Sequence, residues 1–170
     1  MRPIAPATLC CILAAPAVAG DLGVTVEIPR LNVAEYHRPY VAVWIEDTDQ
    51  KVAANLAVWY DTELKNNEGA KWLKDMRQWW RRIGRQLDMP IDGVTGPTRP
   101  AGVHDVDVTH EAEVIEDLPP GEYALVVEAA REVGGREILR IPFQWPPMAD
   151  ASLTESGTSE LGRVTLKLSP

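Results

Sequence analysis

Short runs of apolar and polar residues, each closed by a cluster of turn formers, recur along this chain and constrain its fold more than any other feature. Val24-Thr25-Val26-Glu27-Ile28 alternates strictly, as a strand with one face in a core does. Residues 40–45 and 55–60 are two further β-rich runs, and Glu46-Asp47-Thr48-Asp49-Gln50 between them reads as a polar hairpin turn. The early part of the chain is thus expected to form an antiparallel meander. Strand patterns resume at 103–109 and 112–115, at 123–129 behind Pro119-Pro120-Gly121, at 137–145, and in a last run at 163–168. About seven short strands at this spacing predict a mainly β chain folded as an antiparallel, immunoglobulin-like β-sandwich.

One stretch breaks the β pattern. Trp72, Met76, Trp79, Trp80, Ile83 and Leu87 recur every three or four positions, which predicts one amphipathic helix over 70–87 inserted between strands. Its aromatic side is expected on the sheet. Lys71, Lys74, Arg77, Arg81, Arg82 and Arg85 fill the other positions and read as a solvated basic face, although such a stripe also suits an acidic patch or a phosphate. Gly84 weakens the last turn. Residues 86–102 are rich in proline, glycine and aspartate and read as a structured loop, while the small, polar residues 149–162 read as a flexible connection.

Met1-Arg2, an apolar run to Ala17, and Ala17-Val18-Ala19 before Gly20-Asp21 follow the plan of a secretory signal peptide, with cleavage expected after Ala19. Residues 20–170 then form a single domain. The apolar run is shorter than the roughly 20 residues of a spanning helix. Both cysteines, Cys10 and Cys11, fall within the leader, so the mature chain has no disulfide, thiolate metal site, c-type haem attachment or cysteine nucleophile. Loss of the leader leaves 16 basic against 25 acidic side chains, which makes nucleic acid an improbable partner.

No familiar catalytic array is present. The serines, Ser152, Ser156, Ser159 and Ser169, lie far in sequence from the three histidines, which argues against a hydrolase triad. His104, Asp105, Asp107, His110, Glu111 and Glu113 are of metal-binding type. On one strand over 104–110 the histidines would take one face and Asp105 and Asp107 the other, so strand-end polar residues are the better reading. Most tryptophans are expected in the core, with Trp79 or Trp80 available to stack on a planar ring.

The loop Asp92-Gly93-Val94-Thr95-Gly96-Pro97-Thr98-Arg99-Pro100 is different in kind. Gly96-Pro97 favours extended backbone that holds Thr98 outward, and Arg99 follows with a guanidinium suited to phosphate. Read alone, it is an ordinary Gly-Pro loop whose threonines cap turns. It also resembles the Asp-x-x-Ser/Thr-Gly-Ala-Thr acceptor motif of bacterial flavin transferases, matching at Asp92, Thr95, Gly96 and Thr98, with Pro97 in place of alanine.

The wider chain is similar to the domain of unknown function twenty-two seventy-one family of predicted periplasmic proteins. The similarity rests on Arg38-Pro39-Tyr40-Val41-Ala42-Val43-Trp44, Leu56-Ala57-Val58-Trp59-Tyr60, Lys71-Trp72-Leu73, the Thr-Arg-Pro loop, and Gly121-Glu122-Tyr123 leading to Val127-Glu128-Ala129-Ala130-Arg131-Glu132. Asp107-Val108-Thr109-His110 stands where the family commonly has a Trp-Asp-Gly turn. The resemblance implies a periplasmic electron carrier, with FMN bound covalently through a phosphoester to Thr98 and Arg99 near the phosphate. It further implies a flavin transferase and a PepSY-type membrane protein as partners, and a role in membrane electron transfer that extends to ferric iron. Two other readings stay open: a non-redox β-sandwich accessory of a membrane protein, and a metal-binding chaperone using His104 or His110.

Overall fold

The structure, a computed structural model, describes residues 20–170, so the leader and its cleavage point lie outside the described residues. Nine strands are present among those residues: β1 (Asp21–Ile28), β2 (Tyr40–Asp47), β3 (Val52–Tyr60), β4 (Thr95–Pro97), β5 (Gly102–Val106), β6 (Gly121–Ala130), β7 (Arg136–Trp145), β8 (Ala151–Ser156) and β9 (Arg163–Ser169). They form a four-stranded sheet ordered β5-β1-β9-β8 and a five-stranded sheet ordered β4-β3-β2-β6-β7. The chain is mainly β, as its strand spacing predicts.

Burial along each strand follows from the number of faces it must cover. β1 and β9 alternate: Val24, Val26 and Ile28, with Val164, Leu166 and Leu168, face the second sheet, and the residues between them face water. β2 is buried over Val41–Ile45 because its sheet is covered on both sides. Val41, Val43, Ile45, Leu125 and Val127 meet the four-stranded sheet in one core. Ala42, Trp44, Val58, Tyr60 and Val126 meet Leu73, Met76, Trp79 and Val94 in a second core on the opposite face. The molecule therefore has three layers, and the third is the excursion between β3 and β4.

That excursion is not one helix. A 3-10 stretch (Lys65–Asp75) broken by left-handed Asn66 and Asn67 (φ 56° and 54°) leads into α1 (Arg77–Arg82) and a 3-10 turn (Gly84–Gln86). Asparagine is among the residues that tolerate this backbone region. The tighter winding has three residues per turn, so Leu73, Met76 and Trp79 point inward while Trp72 and Leu87 are exposed. A Cβ on Gly69 would sit 1.9 Å from the Asp61 carbonyl oxygen, and one on Gly84 2.3 Å from the Trp79 ring. Both glycines let the excursion lie close against its support.

Several other expectations change. β1 pairs with β5 and β9, so the early meander reduces to the β2–β3 hairpin. Residues 112–115 belong to a short helix, α2 (Ala112–Glu116), and the strand expected over 103–109 ends at Val106. The connection expected to be flexible over 149–162 holds β8 and a turn whose backbone N–H groups of Thr158, Ser159, Glu160 and Leu161 all donate to the Glu137 carboxylate at 2.6–3.1 Å. Sequence reading missed this clamp because glutamate and its partners are more than twenty positions apart.

Candidate functional site

The threonine loop begins as expected and then joins the sheet. Gly93 takes φ 73°, a left-handed conformation that glycine permits, and its N–H donates to Asp92 Oδ1 at 3.1 Å. The Thr95 N–H donates to the Ile91 carbonyl at 2.9 Å, and the Ile91 N–H donates to Thr95 Oγ1 at 2.8 Å, so the Thr95 side chain closes the loop on itself. Thr95-Gly96-Pro97 then forms β4, a parallel edge strand beside Val58-Trp59-Tyr60, where an irregular loop is expected. The Thr98 N–H donates to the Tyr60 carbonyl at 3.0 Å and carries the register one residue further.

Gly96 fits this pairing because a Cβ there would lie 3.2 Å from Trp59 Cδ1. Trp59 also orders the residues that follow. The Arg99 guanidinium carbon lies 5.3 Å from its ring centroid, and His104 packs edge-on at 6.2 Å. His104 Nε2 is 2.7 Å from the Pro100 carbonyl oxygen, and Arg99 Nε is buried without a hydrogen-bond partner. The structure thus gathers Thr95, Gly96, Thr98 and Arg99 along one sheet edge and leaves Asp92 exposed at the loop tip, bonded to its neighbour.

Thr98 opens on a cleft of about 570 Å³ walled by Tyr36, Tyr40, Leu64, Trp72 and Val133. Tyr40 donates its hydroxyl to the Gly69 carbonyl at 3.2 Å, and Tyr60 donates to Asn67 Oδ1 at 3.2 Å, which ties the 3-10 wall to the sheet. Burial raises the Tyr40 pKa above its ordinary value; a hydrogen bond from the Asp61 backbone opposes this and the Asp61 charge reinforces it, so the phenol stays neutral. Arg131, at the same cleft, is held by Glu160 through Nε (2.8 Å) and Nη2 (3.1 Å), while its Nη1 has no partner. Asp61, Glu63, Asp75 and Glu132 add negative charge to the wall, against Arg38 and Arg131.

The tryptophans named as candidate stackers lie elsewhere. Trp79 is fully buried with its Nε1–H donating to Asn55 Oδ1 at 3.0 Å, and Trp80 tilts against it at 6.4 Å; neither lines the cleft. The histidines do not meet either: His104 sits on Trp59, while the His110 ring packs beneath Gly93. Asp107 accepts from the Thr109 hydroxyl (2.6 Å) and the Thr109 N–H (3.0 Å), as a turn residue does, and these two bonds lower its pKa.

Fold and site together define a two-sheet β-sandwich with a helical cover and a threonine-bearing edge strand that opens on an aromatic cleft. The chain belongs to the family described as predicted periplasmic protein (DUF2271), whose model matches residues 21–163. No curated protein and no solved structure matches the chain.

Proposed function

We propose that this chain is exported with its leader removed after Ala19 and serves in the periplasm as an electron-transfer protein carrying FMN on Thr98. The observation that supports this reading best is the contrast between the two threonines of the loop. Thr95 Oγ1 is committed to the Ile91 N–H, whereas Thr98 lines an open cleft large enough for a small molecule. The residues present fit the group. Thr98 supplies a hydroxyl at a sheet edge, and Arg99 follows it in sequence with a positive charge that offsets a phosphate charge.

Attachment follows the balance of a phosphoryl transfer. A flavin transferase joins the FMN phosphorus of FAD to Thr98 Oγ1, the pyrophosphate P–O bond breaks, AMP leaves, and the threonine proton passes to solvent. The flavin, when bound, supplies one- and two-electron chemistry. The chain's own residues set its position and exposure: β4 pairs Pro97 with Tyr60, the Thr98 N–H donates to the Tyr60 carbonyl, and Trp59 holds the Arg99 guanidinium. A PepSY-type membrane protein is the proposed donor, with ferric iron among the final acceptors.

Intact mass and in-gel flavin fluorescence test this on protein exported by a host with an active flavin transferase, beside Thr98→Ala and Thr95→Ala. The expected result is a gain of one FMN less water in the wild-type chain, fluorescent after denaturation and lost in Thr98→Ala. Loss confined to Thr95→Ala would move the attachment point. An unmodified chain, with the transferase active on a control substrate, would overturn the assignment and leave a non-redox accessory module in its place.

A further inference from the structure

We propose that the cleft beside Thr98 is the seat of the isoalloxazine ring and that Trp72 is the side chain stacked on it. This rests on the FMN reading above and adds where the ring lies and what holds it. Exposed large hydrophobic side chains cluster here: Tyr36, Leu64, Trp72 and Val133 stand at this one cleft, with Trp72 50% exposed. Such a gathering on a soluble surface marks a contact site more often than chance exposure. Trp44, Trp59, Trp79 and Trp145 are all buried, so the exposure of Trp72 is a departure from the rest of the molecule.

That exposure is built in. Gly69, three residues earlier, is pressed against the Asp61 carbonyl and bonded to the Tyr40 hydroxyl, and Asn67 is tied to Tyr60 and to the Met89 carbonyl. The 3-10 winding then carries Leu73 inward and leaves Trp72 outward. Lys74 Nζ lies over the indole at 5.7 Å from its centroid, and the ring stays half exposed at the cleft.

The occupant is specified by the tether. A ring esterified to Thr98 through its phosphate and ribityl chain reaches this cleft without leaving the protein, at an effective concentration on the order of millimolar. A neutral planar ring with polar edges suits a cleft where Tyr36, Leu64, Trp72 and Val133 stand among charged side chains such as Arg38 and Glu63. The phosphate stays at Thr98, and the negative charge of Asp61, Glu63, Asp75 and Glu132 disfavours its entry into the cleft.

The test uses full-length exported protein, with loading read from intact mass and ring environment from flavin emission and visible circular dichroism. Wild-type protein is expected to carry the FMN mass with emission strongly quenched relative to free FMN and an induced visible dichroism. Trp72→Ala should load equally, regain most of the emission and lose the dichroism, while Trp72→Phe keeps part of both effects and Trp80→Ala changes neither. A loaded wild-type chain as bright as free FMN, or quenching that survives Trp72→Ala unchanged, would overturn the seat while leaving covalent attachment standing. Absence of the mass gain in wild type would overturn both.

Discussion

Glu137 accepts four backbone N–H bonds and the Thr158 hydroxyl, and its titration records what that clamp contributes. Desolvation alone would raise its pKa, but the bonds from the 158–161 turn outweigh it and lower the value from 4.5 to about 2. A carboxylate depressed on folding contributes stability that is complete above its unfolded pKa and is lost as pH falls through the folded one. The unfolding free energy from urea titrations should therefore drop as pH falls from about 4.5 to about 2, by ~1–2 kcal/mol after allowance for solvent screening. Glu137→Gln should be less stable at neutral pH and lack this part of the profile. None of this was legible in the sequence, where Glu137 is one polar residue at the start of a strand. Glu46 is a similar case: read as part of a turn, it is buried on β2 and accepts from Trp44 Nε1 (3.2 Å) and from Arg140 Nε (3.0 Å), the latter a partner that no local pattern announces.

Among the elements, α1 shows most plainly how tertiary contacts override a periodic pattern. Its six residues are too few to be stable alone, and no side chain of its own caps it. The cap comes from β6: the fully buried Glu128 carboxylate accepts the Gln78 and Trp79 N–H groups at 3.0 and 2.8 Å and pairs with Arg136 at 2.8 Å. Glu128→Ala should cost about 3–5 kcal/mol, since it strands two helix donors and an arginine. Near-ultraviolet circular dichroism of the tryptophans should weaken while the far-ultraviolet β signal persists. The sequence did hold the signal for the shorter winding, because Leu73, Met76 and Trp79 are spaced by three, but the aromatic residues between them fit a 3.6-residue helix as well. On that longer period Trp72 belongs to the side that packs on the sheet, whereas it stands exposed. The threonine motif at 92–98 was legible as a motif, yet its placement on a parallel edge strand depends on β3, more than thirty residues earlier.

For the whole molecule, the four-stranded sheet joins the first strand of the described chain to its last two, with β9 between β1 and β8 and β5 from mid-chain on the outer edge of β1. Val164, Leu166 and Leu168 each bury a side chain worth ~1.5–3 kcal/mol in the main core, and their sum rivals the 5–15 kcal/mol net stability of a typical domain. A chain stopped before Arg163 should consequently lack the cooperative unfolding transition and bind a hydrophobic dye, as calorimetry and dye fluorescence would show. The sandwich class was readable because period-two alternation is local. The sheet partners were not, since pairing of β1 with β9 joins residues that only the finished core brings together.

One further consequence follows from the way Thr98 donates to the carbonyl of Tyr60. The path from Asp61 to Pro97 departs from and returns to a single point on the sheet edge, so its two ends are already stitched and the strands around it feel no change in span when its length varies. Residues added at the left-handed Asn66-Asn67 kink would raise the closure entropy only logarithmically, by about 0.6 kcal/mol for a doubling of loop length. The panel that walls the cleft can thus be retailored between relatives while the frame behind it keeps its dimensions.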